Sequence, residues 1–180
     1  MRRLTIREEQ PNDIPAIHAL TRAAFAKATH AAGNEQDIVD ALRADGDLTL
    51  SLVATNMDEA IVGHIAFSPV AISDGTKGWY GAGPVSVMPT RQRTGIGSEL
   101  AEDGIERLRK IGAKGIVLLG DPGYYDRFGF SCDPDLFLRD APPEYFQVRA
   151  LTDEPRPKGE VTSAPLSLIH ISEPTRQAEI

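Results

Sequence analysis

The apolar positions near the N-terminus repeat first as in a strand and then as in two helices. Residues 4–7 alternate apolar and polar side chains, and Asn12 or Asp13 can cap a helix directly after them. A second amphipathic segment follows an interruption at residues 29–33. The inward faces of the two predicted helices carry Ile14, Ile17, Leu20 and Phe25 in the first, and Ile38, Val39 and Leu42 in the second.

The next part of the chain is predicted to form three strands. Residues 48–55 and 60–72 are apolar, β-rich runs separated by a polar turn, which indicates an antiparallel hairpin. Residues 80–88 form the following strand, and the glycines and the proline near its start favour a bulge or a splayed ladder there. The residues responsible are Gly81, Gly83 and Pro84.

A helix and a buried strand are predicted after residue 97. One helical face carries Leu100, Ile105, Leu108 and Ile111, and Gly112 stands where the helix should end. Residues 115–119 are continuously apolar, as in strands buried on both faces. With a short helix near Pro122 and a further strand, the elements follow the order β-α-α-β-β-β-α-β-α-β, which predicts an α/β (α+β) domain.

A strand end, a turn and a glycine-containing helix start follow one another directly at residues 85–100. Gly95 and Gly97 remove side chains where a phosphate group must approach the backbone, and the first helical N–H groups attract its charge. Arg91 and Arg93 add cationic donors. Neither a P-loop nor a Gly-x-Gly-x-x-Gly dinucleotide sequence is present. The pattern predicts another kind of phosphate loop, with a solvated helix cap as the alternative.

Two motifs carry a family resemblance. The order Gln92-x-x-Gly95-x-Gly97 after Val-x-Val-x-Pro resembles the acetyl-CoA pyrophosphate loop of the GNAT superfamily of N-acetyltransferases. Residues 120–130 resemble the Tyr-x-x-x-Gly-Phe element beside the acetyl-CoA thioester, and with residues 62–70 they look most like the YhbS-like branch. The resemblance implies a GNAT fold, in which a mixed, mostly antiparallel sheet has helices on both faces and is splayed at the acetyl-CoA site.

The resemblance also implies which residues hold the cofactor. Main-chain groups of residues 85–87 should meet pantetheine and the oxyanion, and the loop up to residue 98 should bind pyrophosphate. The predicted cofactor-binding residues are Val85, Ser86, Val87, Gln92, Arg93, Thr94, Gly95, Ile96, Gly97 and Ser98.

Acetyl transfer to an amine also needs an acid and a base. Tyr125 matches the family's tyrosine and is the predicted catalytic proton donor to the thiolate, because a phenol can donate a proton or stabilise the anion. Tyr124 is the competing candidate, and packing of both rings under the cofactor is the third reading. The general base stays open among Glu35, His64 and water. Glu35 can equally be a helix N-terminal charge, and His64 a satisfied strand histidine.

Composition and charge exclude several classes. A chain of 180 residues with 41% hydrophobic content fits one domain, and a net charge of −7 argues against broad affinity for nucleic acids or anionic membranes. The single Cys132 excludes an intrachain disulfide and fits a reducing compartment. No run approaches the roughly 20 apolar residues of a membrane span, and no signal-peptide core is present, so a cytoplasmic protein is expected. His18 and His30 lack a third ligand at metal spacing, so no metal is predicted.

The C-terminal region differs from the rest. No element is predicted after Asp153, where the composition shifts toward proline. Residues 166–180 resemble a translated transposase-end sequencing adapter, with a genuine strand at residues 166–171 as the alternative. The predicted GNAT domain therefore spans residues 1–160, and residues 161–180 are predicted to be a non-native or disordered tail.

The predicted function is transfer of an acetyl group from acetyl-CoA directly to a primary amine of an unknown small-molecule or peptide acceptor. Neither a nucleic-acid partner nor a membrane is expected, and a homodimer is left open. The alternative is a non-catalytic acyl-CoA-binding sensor or interaction module. The lack of an assignable base favours that alternative, whereas Tyr125 favours the enzyme.

Overall fold

The computed structural model describes residues 3–27 and 33–163. Short 3-10 turns accompany the helices and strands at residues 11–13, 89–91, 126–128 and 143–145. In chain order the elements are β1 (Thr5–Glu8), α1 (Ile14–Phe25), α2 (Glu35–Ala44), β2 (Leu50–Thr55), β3 (Ile61–Pro69), β4 (Ala71–Ile72), β5 (Trp79–Val87), α3 (Ile96–Lys110), β6 (Gly115–Leu119), α4 (Pro122–Tyr125), β7 (Leu136–Phe137), β8 (Phe146–Ala150) and β9 (Gly159–Thr162).

A six-stranded sheet forms the centre of the fold, in the order β1-β2-β3-β5-β6-β8. Its neighbours are antiparallel except for β5 and β6, which are parallel. The predicted mixed, mostly antiparallel sheet is thereby confirmed. None of the helices in the described part of the chain is long and apolar enough to cross a membrane.

The two faces of this sheet carry different helices because successive strand residues point to opposite sides. On one face, Leu52, Ile65 and Phe67 join the core cluster that includes the inner side of α3. On the other face, Val53 of β2 packs with Ile17 of α1 and Val39 of α2. The prediction of helices on both faces is confirmed, and His64, next to Ile65, lies on the α1–α2 face.

Strands β5 and β6 separate part-way along their length. They pair from Trp79 to Gly81, and in the described chain the ladder ends there although β5 continues to Val87. Along its other edge β5 remains paired with β3, but Gly83 and Pro84 together stand opposite the single residue Ala66. Gly83 has a φ of +131°, which a residue with a side chain rarely adopts. The predicted bulge and splay are both present.

A second, three-stranded sheet in the order β4-β9-β7 was not predicted from the sequence. The expected strand over residues 60–72 divides after Pro69, and its last part becomes β4 of this small sheet. Strand β9 buries Val161 and carries the domain to Thr162, two residues past the predicted boundary and beyond the last predicted element. The tail from residue 164 on, which holds the adapter-like segment, lies outside the described residues.

One predicted core position of α3 is wrong. Ile111 is 62% exposed, because the helix ends at Lys110 and Gly112 turns the chain with a φ of +88°. The other three positions, Leu100, Ile105 and Leu108, are buried as expected.

Candidate functional site

A small apolar pocket opens where β5 and β6 separate. It lies on the α3 face of the sheet, between the first half of α3 and the two tyrosines of α4. Its floor and walls are formed by Ile65, Phe67, Ala82, Val85, Gly97, Ala101, Ile105, Leu118, Tyr124, Tyr125 and Phe130.

The N-terminus of α3 stands at this pocket because β3 leaves room for it. A Cβ atom on Gly63 would lie 2.7 Å from the side chain of Ile96, so only glycine lets the first turn approach so closely. Gly95 precedes the helix with a φ of +93°, and Gly97 lines the pocket. The first helical N–H groups, which have no partner within the helix, are therefore beside the pocket.

The side chains of the predicted phosphate loop mostly hold the loop itself together. Gln92 Nε2 donates to the carbonyl oxygen of Val87 at 3.2 Å, and Thr94 Oγ1 donates to that of Arg91 at 2.6 Å. Arg93 adopts a φ of +65° and is exposed. These bonds fix the backbone of the loop at the end of β5.

The other predicted cofactor residues divide between the pocket and the core. The side chain of Val85 lines the pocket, and Ser98 hydrogen-bonds to Tyr124. Ser86, Val87 and Ile96 are fully buried. Ser86 pairs with His64 and so lies on the α1–α2 face, which means that only its backbone can reach a ligand on the α3 face.

Helix α4 places both tyrosines in the pocket wall. Asp121 caps the helix by accepting a hydrogen bond from the Gly123 N–H at 2.9 Å. The two rings meet edge to face with centroids 4.9 Å apart. A Cβ on Gly120 would lie 2.2 Å from the ring of Tyr125, so that glycine is required for the ring position.

The two tyrosine side chains have different neighbours. Tyr124 shares a 2.7 Å hydrogen bond with Ser98 Oγ in the first turn of α3, and the guanidinium of Arg127 lies 4.6 Å from its ring centroid. Tyr125 packs against Phe130 with centroids 6.0 Å apart. Tyr124 thus ties α4 to α3, and both rings line the pocket.

A hydrogen-bonded array, which the sequence did not predict, lies on the opposite face of the sheet. His64 Nε2 and Ser51 Oγ are 2.7 Å apart, and Ser51 Oγ donates to the carboxylate of Glu9. Two nitrogens of Arg43 donate to the two oxygens of Glu9, each at 2.8 Å. We call these four residues the Glu9 array. The sequence signal was weak because its members come from four separate segments.

Burial and charge set the protonation of this array. Burial lowers the pKa of His64 to about 4; the negative charge of Glu9 opposes that shift, and the positive charge of Arg43 adds to it. Burial of the Glu9 carboxyl favours its neutral form, but the hydrogen bonds from Arg43 and Ser51 outweigh this effect. The pKa of Glu9 therefore lies below its usual range. At neutral pH the imidazole is uncharged and the carboxylate is ionised.

Glu35 and His18 lie on the same side of the sheet as the Glu9 array. Glu35 begins α2, as predicted for a helix N-terminal charge, but its side chain is only 2% exposed. His18 lies near two carboxylates of α2, Asp37 and Asp40, at metal-ligand spacing that the sequence did not reveal. Asp40 is already engaged by His18 Nδ1 at 2.7 Å and by Arg43 at 3.2 Å. His30 lies outside the described residues.

Comparison with known families decides the relationship. The sequence model of the acetyltransferase (GNAT) domain matches residues 5–132. The chain belongs to the GNAT acetyltransferase family. The family resemblance, the fold and the enzyme class predicted from the sequence are confirmed.

Several members of the GNAT family resemble the chain over most of its length. The uncharacterized N-acetyltransferase YhbS of Escherichia coli K12 is 37% identical over 154 residues, which are 84% of this chain and 89% of YhbS. A GNAT family acetyltransferase from Brucella melitensis, solved in complex with acetyl-CoA, is 47% identical with a TM-score of 0.80, covering 92% of this chain and 99% of that one. YhbS from Escherichia coli in complex with CoA has a TM-score of 0.84 at 35% identity, with 93% of both chains covered.

The buried His64 makes a testable contribution to stability. The pKa of His64 falls from 6.5 in the unfolded chain to about 4 in the folded one. Between these two pH values the unfolded state therefore binds a proton that the folded state does not bind. Stability is complete above about pH 6.5 and declines as the pH falls toward 4, by roughly 3 kcal/mol in total from this group.

Urea unfolding of the wild type and of His64→Gln between pH 7 and pH 4.5 measures this loss. The wild type should lose more unfolding free energy than the variant, so the two curves converge on the acidic side. Curves that stay parallel would show that the histidine is charged in the folded state or exposed.

Proposed function

We propose that this GNAT protein binds acetyl-CoA between β5 and β6 and transfers the acetyl group directly to a primary amine. The observation that carries the proposal is the apolar pocket at the separated strands, bounded by the N-terminus of α3 and by Tyr125. Two relatives support the proposal: the Brucella protein was solved with acetyl-CoA, and Escherichia coli YhbS was solved with CoA.

The proposed grip on the cofactor uses mainly the backbone. N–H groups from Arg93 to Ser98 would hold the pyrophosphate, with the helix dipole of α3 adding attraction. Beyond Gly81, β5 has backbone groups that β6 does not engage. Pantetheine amides can pair with them as an added strand would.

The proposed reaction is a direct displacement. The neutral amine attacks the thioester carbonyl carbon, and a backbone N–H of β5 donates to the developing oxyanion. The C–S bond then breaks with its electron pair moving to sulfur, and the Tyr125 hydroxyl donates a proton to give CoA-SH. The nitrogen loses one proton as it keeps the acetyl group as an amide, the Tyr125 phenolate regains a proton from solvent, and no covalent enzyme intermediate forms.

Charge and thiol content suggest the setting. A net charge of −7 favours a cationic small-molecule or peptide amine over an acidic acceptor. Cys132 is an exposed free thiol, which suits the reducing cytoplasm where we expect the enzyme to act.

Gly97→Glu tests the cofactor assignment. The new carboxylate would stand at the pocket, at the first turn of α3, where pyrophosphate is proposed to bind, and acetyl-CoA affinity should fall at least 100-fold through charge repulsion. Ile111→Glu adds the same charge at the exposed far end of the helix and should bind normally. Calorimetry of both variants, with thermal melts to show folding, makes the comparison. Unchanged affinity in folded Gly97→Glu would refute the assignment.

Tyr125→Phe tests the proposed acid. With a panel of primary amines and detection of released CoA, turnover should fall by on the order of 10²-fold while acetyl-CoA affinity is retained, since only the hydroxyl is lost. Tyr124→Phe is the matched control. It loses the bond to Ser98 and about 1 kcal/mol of stability, with much less effect on turnover. Equal turnover by Tyr125→Phe and the wild type, with chemistry rate-limiting, would make the phenol structural.

A further inference from the structure

Three hydroxyl and imidazole groups on the α1–α2 face are buried directly behind the acetyl-CoA pocket. His64 is 0% exposed, Ser86 is 0% exposed and Ser51 is 6% exposed. His64 and Ser86 are partners across the β3–β5 ladder, and the next pair, Ile65 and Val85, lines the pocket on the other face. The Glu9 array therefore ends at a residue paired directly with β5, the strand that carries the proposed oxyanion donor.

Counting protons in the Glu9 array fixes the tautomer of His64. Ser51 has one hydroxyl proton, and the ionised carboxylate of Glu9 can only accept it. Ser51 Oγ must therefore accept from His64, which places the imidazole proton on Nε2. The other nitrogen, Nδ1, is left as a bare acceptor.

No hydrogen bond in the described part of the chain uses Nδ1 as its acceptor. Nδ1 of His64 and Oγ of Ser86 are both buried, and neither has a hydrogen-bond partner among the residues that the structure describes. These two buried groups are neighbours across the β3–β5 pair, and a water or an amine that donates to Nδ1 and accepts from the Ser86 hydroxyl would satisfy both. The bare lone pair is therefore available for an incoming proton.

We propose that His64 Nδ1 is the proton acceptor during acetyl transfer, and that Ser51 and Glu9 are positioning residues which carry the proton onward to solvent. This proposal rests on the proposed acetyltransferase function and assigns the base that the sequence left open. The acceptor amine would reach Nδ1 directly or through one water beside Ser86.

The proton transfer balances without any further reactant. The ammonium of the acceptor gives one proton to Nδ1, the Nε2 proton passes to Ser51 Oγ, and the Ser51 hydroxyl proton passes to Glu9. The side chain of Glu9 is 17% exposed, so it can release that proton to water. The neutral amine then attacks the thioester, and the overall reaction yields the amide, CoA-SH and one proton.

The charged groups around the array determine which of its members are ionised before transfer. Arg43 binds both oxygens of Glu9 and keeps it ionised, ready to accept. The carboxylate in turn stabilises a transient positive charge on His64 through Ser51. Two further acidic residues of α2 lie on this side of the sheet. Glu35 is buried, and Asp40 hydrogen-bonds to the partly exposed His18.

The tautomer is measured first, on the full chain labelled with nitrogen-15. Between pH 8 and pH 5 the imidazole of His64 should show a protonated Nε2 and a bare Nδ1. Ser51→Ala removes the acceptor of the Nε2 proton and should lose this preference, whereas Ser51→Thr keeps a hydroxyl and should retain it. A protonated Nδ1 in the wild type would overturn the proposal whatever the kinetics show.

Kinetics with the amine panel and acetyl-CoA form the second arm. His64→Gln and Ser51→Ala should lower kcat by on the order of 10²-fold and 10-fold with little change in the KM for acetyl-CoA, and Ser51→Thr should recover most of the Ser51→Ala loss. Ser68→Ala is the matched control, because Ser68 is a buried hydroxyl on the same face of β3 with no partner in the described chain. Its kcat should stay within twofold of the wild type.

The outcomes separate the two proposals. If the wild type turns over an amine and folded His64→Gln does so equally well, the proton path is wrong while the acetyltransferase function stands. If the wild type binds acetyl-CoA but acetylates no amine, both are wrong. If His64→Gln does not fold, the comparison of Ser51→Ala, Ser51→Thr and Ser68→Ala decides, and equal kcat in all three would overturn the proposal.

Discussion

The candidate site depends on the separation of β5 from β6. In the described chain the two strands share no ladder pairs beyond Gly81. A strand interior that leaves one edge unpaired needs another partner for its N–H and C=O groups, because buried backbone groups are rarely left unsatisfied. The bulge at Gly83 and Pro84 bends β5 while its other edge remains bound to β3. The resulting gap receives the first turn of α3 on one side and the tyrosines of α4 on the other.

The sheet also separates acid from base in the proposed mechanism. Tyr125 lies in the pocket on the α3 face, and His64 lies on the α1–α2 face. Placing the proton donor for sulfur and the proton acceptor for nitrogen on opposite faces keeps the two groups from exchanging protons with each other. The burial that lowers the pKa of His64 keeps the imidazole neutral, so it is ready to accept.

Periodicity and local glycine patterns were enough to predict the elements that position the apolar pocket. The inward residues of α1 and α2, the start of α3 and the buried strand β6 all follow from side-chain repeats within one segment. Tyr125 and Gly97 could be picked out because each lies in a short local motif. The pocket lining includes both.

What the sequence could not predict depends on contacts between distant segments. Glu9, Ser51 and His64 form one array only after β1, β2 and β3 are aligned, and no local pattern marks them. The second sheet was missed because its strands have only two to four residues, too few for a repeat to be recognised. The burial of Glu35 likewise depends on how α2 packs, which an amphipathic pattern alone does not specify.

A crystal structure of the full chain with acetyl-CoA would show where the cofactor and its thioester lie. We predict pyrophosphate on the N–H groups of residues 93–98, pantetheine paired with β5 beyond Gly81, and the thioester sulfur within hydrogen-bonding distance of the Tyr125 hydroxyl. The acetyl carbonyl should lie in the gap between β5 and β6, next to the part of β5 that pairs with His64. Acetyl-CoA bound elsewhere, or a thioester turned away from both Tyr125 and β5, would contradict the account.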